Sequence, residues 1–161
     1  MTETASARDR LDIVDVLYRF ALSIDTTDEA LMASTLTDDA VLTFTEAAQK
    51  AGAAADRADG AATIAAAVTG LNRHLDTAHQ ITNPLVELQG PDSARLRALV
   101  EAQHFPAGTR DRHLMQKNRY DLTLIRIAGS WKIKTFELDN VYTTGDIAVM
   151  NEAIAAVGRK D

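Results

Sequence analysis

Apolar residues recur every three or four positions through the first part of the chain. Between Ser6 and Leu22 two such sets overlap, and together they predict one helix with a broad apolar surface. Because so much of its circumference is apolar, we expect this helix to lie between two layers of the fold. One set consists of Leu11, Val14, Leu17, Tyr18, Ala21 and Leu22, and the other of Ile13, Val16, Phe20 and Ile24.

Shorter elements follow, separated by cap and turn residues and by an alanine-rich segment at residues 47–67. Asp and Thr residues favour helix starts and turns, whereas alternating β-rich residues favour strands. The predicted elements are a helix from Thr27 or Asp28 to about Leu36, a turn at Thr37–Asp39, a strand at Ala40–Thr45, a loop to about Asp59 and a helix from Ala61 to about Leu75.

From His79 onward the hydrophobic pattern alternates with a period of two, which is typical of β-strands. The stretch Arg95–Phe105 is the clearest, with alternate residues from Leu96 to His104 forming one face. Asn83-Pro84 predicts a bulge or an edge kink, because proline cannot donate to a strand ladder. The predicted strands are His79–Leu88, Arg95–Phe105, Arg112–Ile127 and Trp131–Tyr142, followed by a helix that Asp146 caps and that ends near Val157.

Helices followed by consecutive antiparallel strands predict an α+β fold, with the helices packed on one face of a curved sheet. No repeat or linker interrupts the pattern, so residues 1–161 are expected to form a single domain. A sheet that curls around a long helix leaves a concave space, and a small ligand would bind there.

Composition narrows the partners that this fold is expected to have. The 161 residues include 17 Lys and Arg against 23 Asp and Glu, a formal net charge of −6, which argues against nucleic acid and anionic membranes. The absence of cysteine excludes disulfides, thiolate metal sites and a cysteine nucleophile. Since neither a secretory signal nor a membrane span is visible, we expect a cytoplasmic protein.

Motifs for phosphoryl transfer, dinucleotide binding and serine hydrolysis are absent from the sequence, and the four histidines do not have the spacing of metal ligands. We therefore expect neither a metal nor a cofactor. Asp25 lies on an apolar side of the first helix, where it either caps the next helix or faces the cavity and orients a histidine. His79 opens a strand, where it is either structural or the partner of that carboxylate.

Two further side chains are candidates for substrate contacts. His104 continues an otherwise apolar strand face, so its imidazole must find a partner in the cavity or at its rim. Arg119 lies on the same predicted strand face as Met115, Lys117 and Asp121. This face is either exposed to water or turned so that Arg119 points toward the cavity, where its guanidinium group could bind an anionic or carbonyl group.

Four stretches, in their order and spacing, resemble the SnoaL-like branch of the nuclear-transport-factor-two-like superfamily. They are LYRFALSIDTTDEALMASTLTDDAVL at 17–42, TAHQITNPLVEL at 77–88, NRYDLTLIRIAGSWKI at 118–133 and NVYTTGD at 140–146. The resemblance implies a cone-shaped, curved antiparallel sheet wrapped around N-terminal helices, with a deep apolar pocket. Similar proteins include scytalone dehydratase, hexachlorocyclohexane dehydrochlorinase, polyketide cyclases and members without catalysis.

The resemblance also implies site residues. In the dehydratase and dehydrochlorinase members an Asp just after the first helix pairs with a His at the start of the first long strand, and the matching positions here are Asp25 and His79. Those enzymes often have a Tyr or Lys five residues before the Asp, whereas this chain has Phe20. Candidate substrate-binding residues are Tyr18, Phe20, His104 and Arg119, with His104 or Arg119 as the hydrogen-bond donor.

The resulting prediction is a cofactor-independent lyase or isomerase that removes a proton from a small hydrophobic cyclic substrate with a His–Asp dyad. The alternatives are a non-catalytic protein that binds a hydrophobic small molecule, and a dimerising scaffold subunit. The expected partners are a small hydrophobic ligand and further copies of this chain in a dimer or trimer.

Overall fold

A computed structural model describes residues 3–50, 52–53 and 56–158, with side chains from Ser6 onward. Five helices and six strands form the described part of the chain. They are α1 (Glu3–Asp25), α2 (Glu29–Thr35), β1 (Leu36–Phe44), α3 (Glu46–Lys50), β2 (Arg57–Asp59), α4 (Ala61–Asn72), β3 (Leu75–Leu88), β4 (Ser93–Pro106), β5 (Leu114–Ile127), β6 (Ser130–Gly145) and α5 (Ala148–Val157).

The strands form one curved sheet in the order β2-β1-β6-β5-β4-β3, so the fold is the α+β class that the sequence predicted. Strands β3 to β6 are consecutive antiparallel neighbours. Strand β1 instead runs parallel to β6, so the sheet is not antiparallel throughout. Helix α1 packs against β3 and β6, and helices α2 and α4 pack against β1.

One side of α1 forms much of the core, with Ile13, Val16, Leu17 and Phe20 almost completely buried. The expectation that α1 lies between two layers is wrong. Leu11, Tyr18 and Leu22 are 71%, 48% and 53% exposed. Helical spacing identifies the apolar positions of a helix, but the sheet and the helices α2 and α4 leave the side of α1 with Leu11, Tyr18 and Leu22 uncovered.

The inner face of β4 is the one that alternation predicted, since Leu96, Ala98, Val100, Ala102 and His104 are all buried. The predicted kink in β3 is also present. The pairing of β3 with β4 shifts between Thr82 and Leu85, Asn83 has a positive φ of 54°, and β3 forms an edge of the sheet.

Three local predictions are wrong. Thr37–Asp39 belongs to β1 rather than to a turn, and the loop predicted before Asp59 contains α3 and β2. Helix α4 ends at Asn72, and Leu75 already begins β3. The strand segments depend on their neighbours: β2 pairs with β1 through Val41 and Asp59, and such distant pairing is not encoded in local propensity. Ala51, Ala54 and Ala55 of the predicted loop lie outside the described residues.

The predicted cap of α2 at Asp28 is confirmed, whereas the N-cap position of α5 is Ile147 and Asp146 precedes it. The Asp28 side chain accepts a hydrogen bond from the Leu31 amide at the start of α2, and Asp146 accepts one from the Ala148 amide at the start of α5. Among the described residues, no helix combines the length and the apolar character that crossing a membrane requires.

Candidate active site

A cavity of about 200 Å³ lies between the helices and the inner face of the sheet. Its wall is mostly apolar, and alanines such as Ala67 and Ala102 leave the space that larger side chains would fill. Phe20 of α1 and Phe136 of β6 form part of the wall, with ring centroids 5.0 Å apart. The polar side chains at the wall are Asn72, His79, His104, Gln116, Asn118, Tyr120 and Asn140.

Asp25 and His79 meet at this cavity. Asp25 is the last residue of α1, and His79 projects from the inner face of β3. The Asp25 Oδ1 atom lies 2.6 Å from Nδ1 of His79, whose side chain is only 5% exposed. The sequence placed these two residues together, and the structure brings them within hydrogen-bonding distance.

Further donors fix the Asp25 carboxylate in place. The Thr77 hydroxyl donates to Oδ1 over 2.8 Å, and the backbone N–H of His79 donates to Oδ2 over 2.9 Å. Burial raises the pKa of Asp25, but the hydrogen bonds and charge of His79, together with the Thr77 hydrogen bond, outweigh it and lower the pKa below its ordinary value. Asp25 is therefore a carboxylate at neutral pH and holds the Nδ1–H tautomer of His79.

His104 of β4 lies beside His79, with ring centroids 6.0 Å apart and the rings nearly perpendicular. It is buried, and its Nδ1 atom has no hydrogen-bond partner among the described residues. Burial, with the positive charge that His79 can carry, lowers the pKa of His104 to about 4. The imidazole of His104 is therefore neutral at physiological pH.

Sequence reasoning missed a second polar group on the inner face of β5 and β6. The Asn140 amide nitrogen donates to Oδ1 of Asn118 over 2.9 Å, and Asn118 hydrogen-bonds Tyr120. Burial raises the pKa of the Tyr120 phenol far above its ordinary value, the charge of Asp25 adds to this rise, and Asn118 opposes it. Alternate polar residues at positions 116, 118 and 120 were the signal that could have identified this group.

Two predicted substrate-binding residues lie elsewhere. Tyr18 projects from the half-exposed side of α1, and Arg119 lies on the outer face of β5, where its 62%-exposed side chain pairs with Asp139 over 3.4 Å. Successive strand residues point to opposite faces, so Arg119 cannot share the inner face with Tyr120. Phe20 and His104, in contrast, line the cavity as expected.

A family model described as a SnoaL-like domain matches residues 5–137 of this chain. The chain belongs to the SnoaL-like family. This membership confirms the resemblance that the sequence motifs carried.

Relatives of this SnoaL-like protein cover nearly its whole length. It is 30% identical over 155 residues to terrestric acid biosynthesis cluster protein E of Penicillium crustosum, covering 92% of this chain and 94% of the relative. A Novosphingobium aromaticivorans structure assigned as a scytalone dehydratase has a TM-score of 0.77 at 18% identity, over 90% of this chain and 92% of the other. The hexachlorocyclohexane dehydrochlorinase LinA-type3 of Novosphingobium barchaimii has a TM-score of 0.76 at 18% identity, over 90% and 94%. At this identity the two structures establish the fold.

The part of this SnoaL-like chain that the structure describes contains no group of three or more His, Asp or Glu side chains arranged to hold a metal ion. The chemistry available at the cavity wall is that of one carboxylate-bound imidazole, one neutral imidazole, a phenol and side-chain amides.

Proposed function

We propose that this protein is a cofactor-independent lyase or isomerase of the dehydratase or cyclase type, acting on a small hydrophobic cyclic substrate. The observation that carries this proposal is the 2.6 Å hydrogen bond between Asp25 and the buried ring of His79 at the cavity wall. The names of its relatives, a dehydratase and a dehydrochlorinase among the structures and a biosynthesis cluster protein among the sequences, support the same class.

In the proposed reaction His79 is the general base. Asp25 accepts the Nδ1–H of the ring, which leaves the lone pair of Nε2 to remove a proton from the carbon next to a carbonyl group. The electrons of the broken C–H bond move toward the carbonyl oxygen, and Asp25 compensates the positive charge that His79 gains. In an elimination the electrons then form a C=C bond as a halide leaves from the next carbon, or as a hydroxyl takes the proton from His79 and leaves as water. In an isomerisation His79 returns the proton to another carbon.

His104 is one of the two donors that the sequence suggested for the developing negative charge, the other being Arg119, and the neutral state of His104 fits this role. A neutral imidazole donates one N–H, and a ring 6.0 Å from that of His79 can reach the same substrate. General-base catalysis contributes about 10²–10⁴-fold to a rate, and a positioned donor about 10²–10³-fold.

The test measures proton removal directly. A panel of cyclic ketones with a β-hydroxyl or β-halogen is incubated with the protein in D2O, and NMR follows both exchange of the α-hydrogen and product formation. We expect His79→Ala and Asp25→Asn to slow the reaction at least about 10²-fold, because the first removes the base and the second its charge partner.

The matched control is His74→Ala, since His74 is exposed and away from the cavity wall. This variant should react at the wild-type rate. A folded His79→Ala variant that reacts within about threefold of wild type contradicts the proposal, with circular dichroism as the check on folding.

Non-catalytic binding is the second candidate function, favoured by Phe20, which presents a ring without a donor to the cavity. It predicts panel compounds that raise the melting temperature without being consumed or exchanged.

A further inference from the structure

We propose that the Tyr120 hydroxyl is a further hydrogen-bond donor to the substrate oxygen on which negative charge develops. The inference rests on the proposed function, since it names a residue for the same reaction. The proposal gives a catalytic role to a buried aromatic side chain of β5.

The position of the Tyr120 ring is fixed by neighbouring aromatic rings. Its centroid lies 4.7 Å from that of Phe136 in an edge-to-face arrangement, and Phe136 in turn contacts Phe20. Phe20 and Tyr120 both line the cavity that His79 lines. The helix α1 offers only a hydrocarbon ring at Phe20, so the phenol of this aromatic cluster comes from the sheet.

The Tyr120 hydroxyl has Asn118 as a polar neighbour at the cavity wall. The contact with Asn118 lowers the pKa of the phenol, which is the effect of an amide N–H that donates to the phenol oxygen. With Asn118 as the donor, the proton of the Tyr120 hydroxyl is available to a ligand in the cavity.

Two other amides at the wall donate to backbone carbonyls. The Asn140 nitrogen donates to the Tyr142 carbonyl over 3.2 Å, and the Asn72 nitrogen donates to the Val68 carbonyl over 2.8 Å. Asn140 also donates to Oδ1 of Asn118, so its amide nitrogen is engaged within the protein.

The environment keeps Tyr120 a donor. Burial and the nearby charge of Asp25 raise the pKa of Tyr120 far above neutral pH, so the phenol remains protonated while His79 changes its charge. A protonated phenol at a mostly apolar cavity wall stabilises an oxyanion strongly, because its dipole is already oriented.

Tyr120→Phe removes one oxygen atom and leaves the ring contacts in place. In the α-hydrogen exchange assay we expect kcat to fall about 10²-fold with KM changed less than about threefold, because the bond strengthens only as charge develops. The matched control is Tyr142→Phe, which alters an exposed tyrosine on β6 and should leave both constants unchanged.

A second experiment tests the hydrogen-bond donor by measuring ligand binding in the absence of a reaction. The probes are 4-nitrophenolate, at a pH where the phenol is ionised, and its neutral analogue 4-nitrotoluene, both titrated by absorbance or calorimetry. Tyr120→Phe should weaken binding of the anion at least about tenfold and leave the neutral compound unaffected, since only the anion has a phenolate oxygen that accepts a charge-assisted hydrogen bond.

The outcomes separate this inference from the proposed function. Wild-type exchange by Tyr120→Phe, with His79→Ala inactive, overturns the role of Tyr120 and leaves the base in place. Wild-type exchange by His79→Ala overturns the proposed function itself. In the binding experiment, equal losses for both probes, or no loss for the anion, overturn the donor role whatever the exchange assay gives.

Discussion

His104 occupies an unusual position for an ionisable side chain, on a strand face whose other members are apolar. Its side chain is buried and Nδ1 lacks a partner among the described residues. An unsatisfied buried polar atom costs about 1–3 kcal/mol, a penalty that proteins tolerate mainly where the atom has a use. Because burial lowers the pKa of His104, the free energy of unfolding depends on the pH at which His104 takes up a proton.

The first residue-scale prediction concerns pH. The folded protein keeps His104 neutral down to about pH 4, whereas the unfolded chain takes up the proton near the ordinary pKa of 6.5. The unfolded state therefore binds more protons in this range, and stability is lost as the pH falls from about 6.5 to about 4. We expect His104 to contribute on the order of 3 kcal/mol to that loss, measured by urea denaturation at a series of pH values.

His104→Leu should remove this pH dependence, and His74→Ala, which alters an exposed histidine, should retain it. Asp25 acts in a different range: its pKa is lowered, so its contribution is present above its ordinary value of 3.8 and is lost below it. A His104→Leu variant with the wild-type slope between pH 4 and 6.5 would contradict the burial argument.

At the scale of elements, the end of α1 positions the Asp25 carboxylate. The Asp28 amide donates back to the Ser23 carbonyl over 2.9 Å, and the Thr27 amide donates to the Ile24 carbonyl over 3.1 Å. This pair of hydrogen bonds is a Schellman motif, which requires a left-handed residue at Thr27, where φ is 55°. A β-branched residue is strained in that conformation.

Thr27→Gly is expected to stabilise the protein by about 1 kcal/mol, because glycine adopts the left-handed conformation without the clash of a Cβ atom. Chemical denaturation measures the difference, and exchange activity should be unchanged because Asp25 keeps its position. The matched substitution is Thr144→Gly in β6, where the backbone is extended and glycine should instead destabilise by about 0.5–1 kcal/mol. Equal effects of the two substitutions would exclude strain at Thr27.

Elements with a strong period were predictable from the sequence, and elements that depend on distant pairing were not. Helix α1 and strand β4 show clear periods, and both were found. Strand β2 has only three residues and exists because β1 lies beside it. Thr37–Asp39 has the composition of a turn, but it belongs to a strand that pairs with β6 irregularly.

The candidate site divides in the same way. The Asp25–His79 contact was predicted, because the helix end and the strand start are marked in the sequence and the resemblance linked them. Tyr120 was not among the predicted site residues, because only the fold places it beside Asn118 and near Asp25. Arg119 was a candidate because strand alternation gives two faces without saying which one faces inward.

At the scale of the whole molecule, the cavity exists because small side chains occupy positions where large ones would close it. Ala94 and Ala102 lie on the same face of β4, and both are almost completely buried. Ala94 belongs to the main hydrophobic core, whereas Ala102 lines the cavity and is paired with His79 in the sheet register. Alanine is therefore part of the packed core at position 94, whereas at position 102 its small side chain leaves room for the cavity.

This difference predicts opposite results for one substitution at two positions. Ala94→Leu adds volume to a filled core and should destabilise the protein by about 1–3 kcal/mol. Ala102→Leu adds the same volume to an open cavity, so the free energy of unfolding should change by less than about 1 kcal/mol while binding of 4-nitrotoluene is lost. Denaturation and titration of both variants measure the two effects. Strong destabilisation by Ala102→Leu, or undiminished binding of 4-nitrotoluene, would show that the space beside His79 is not where ligands bind.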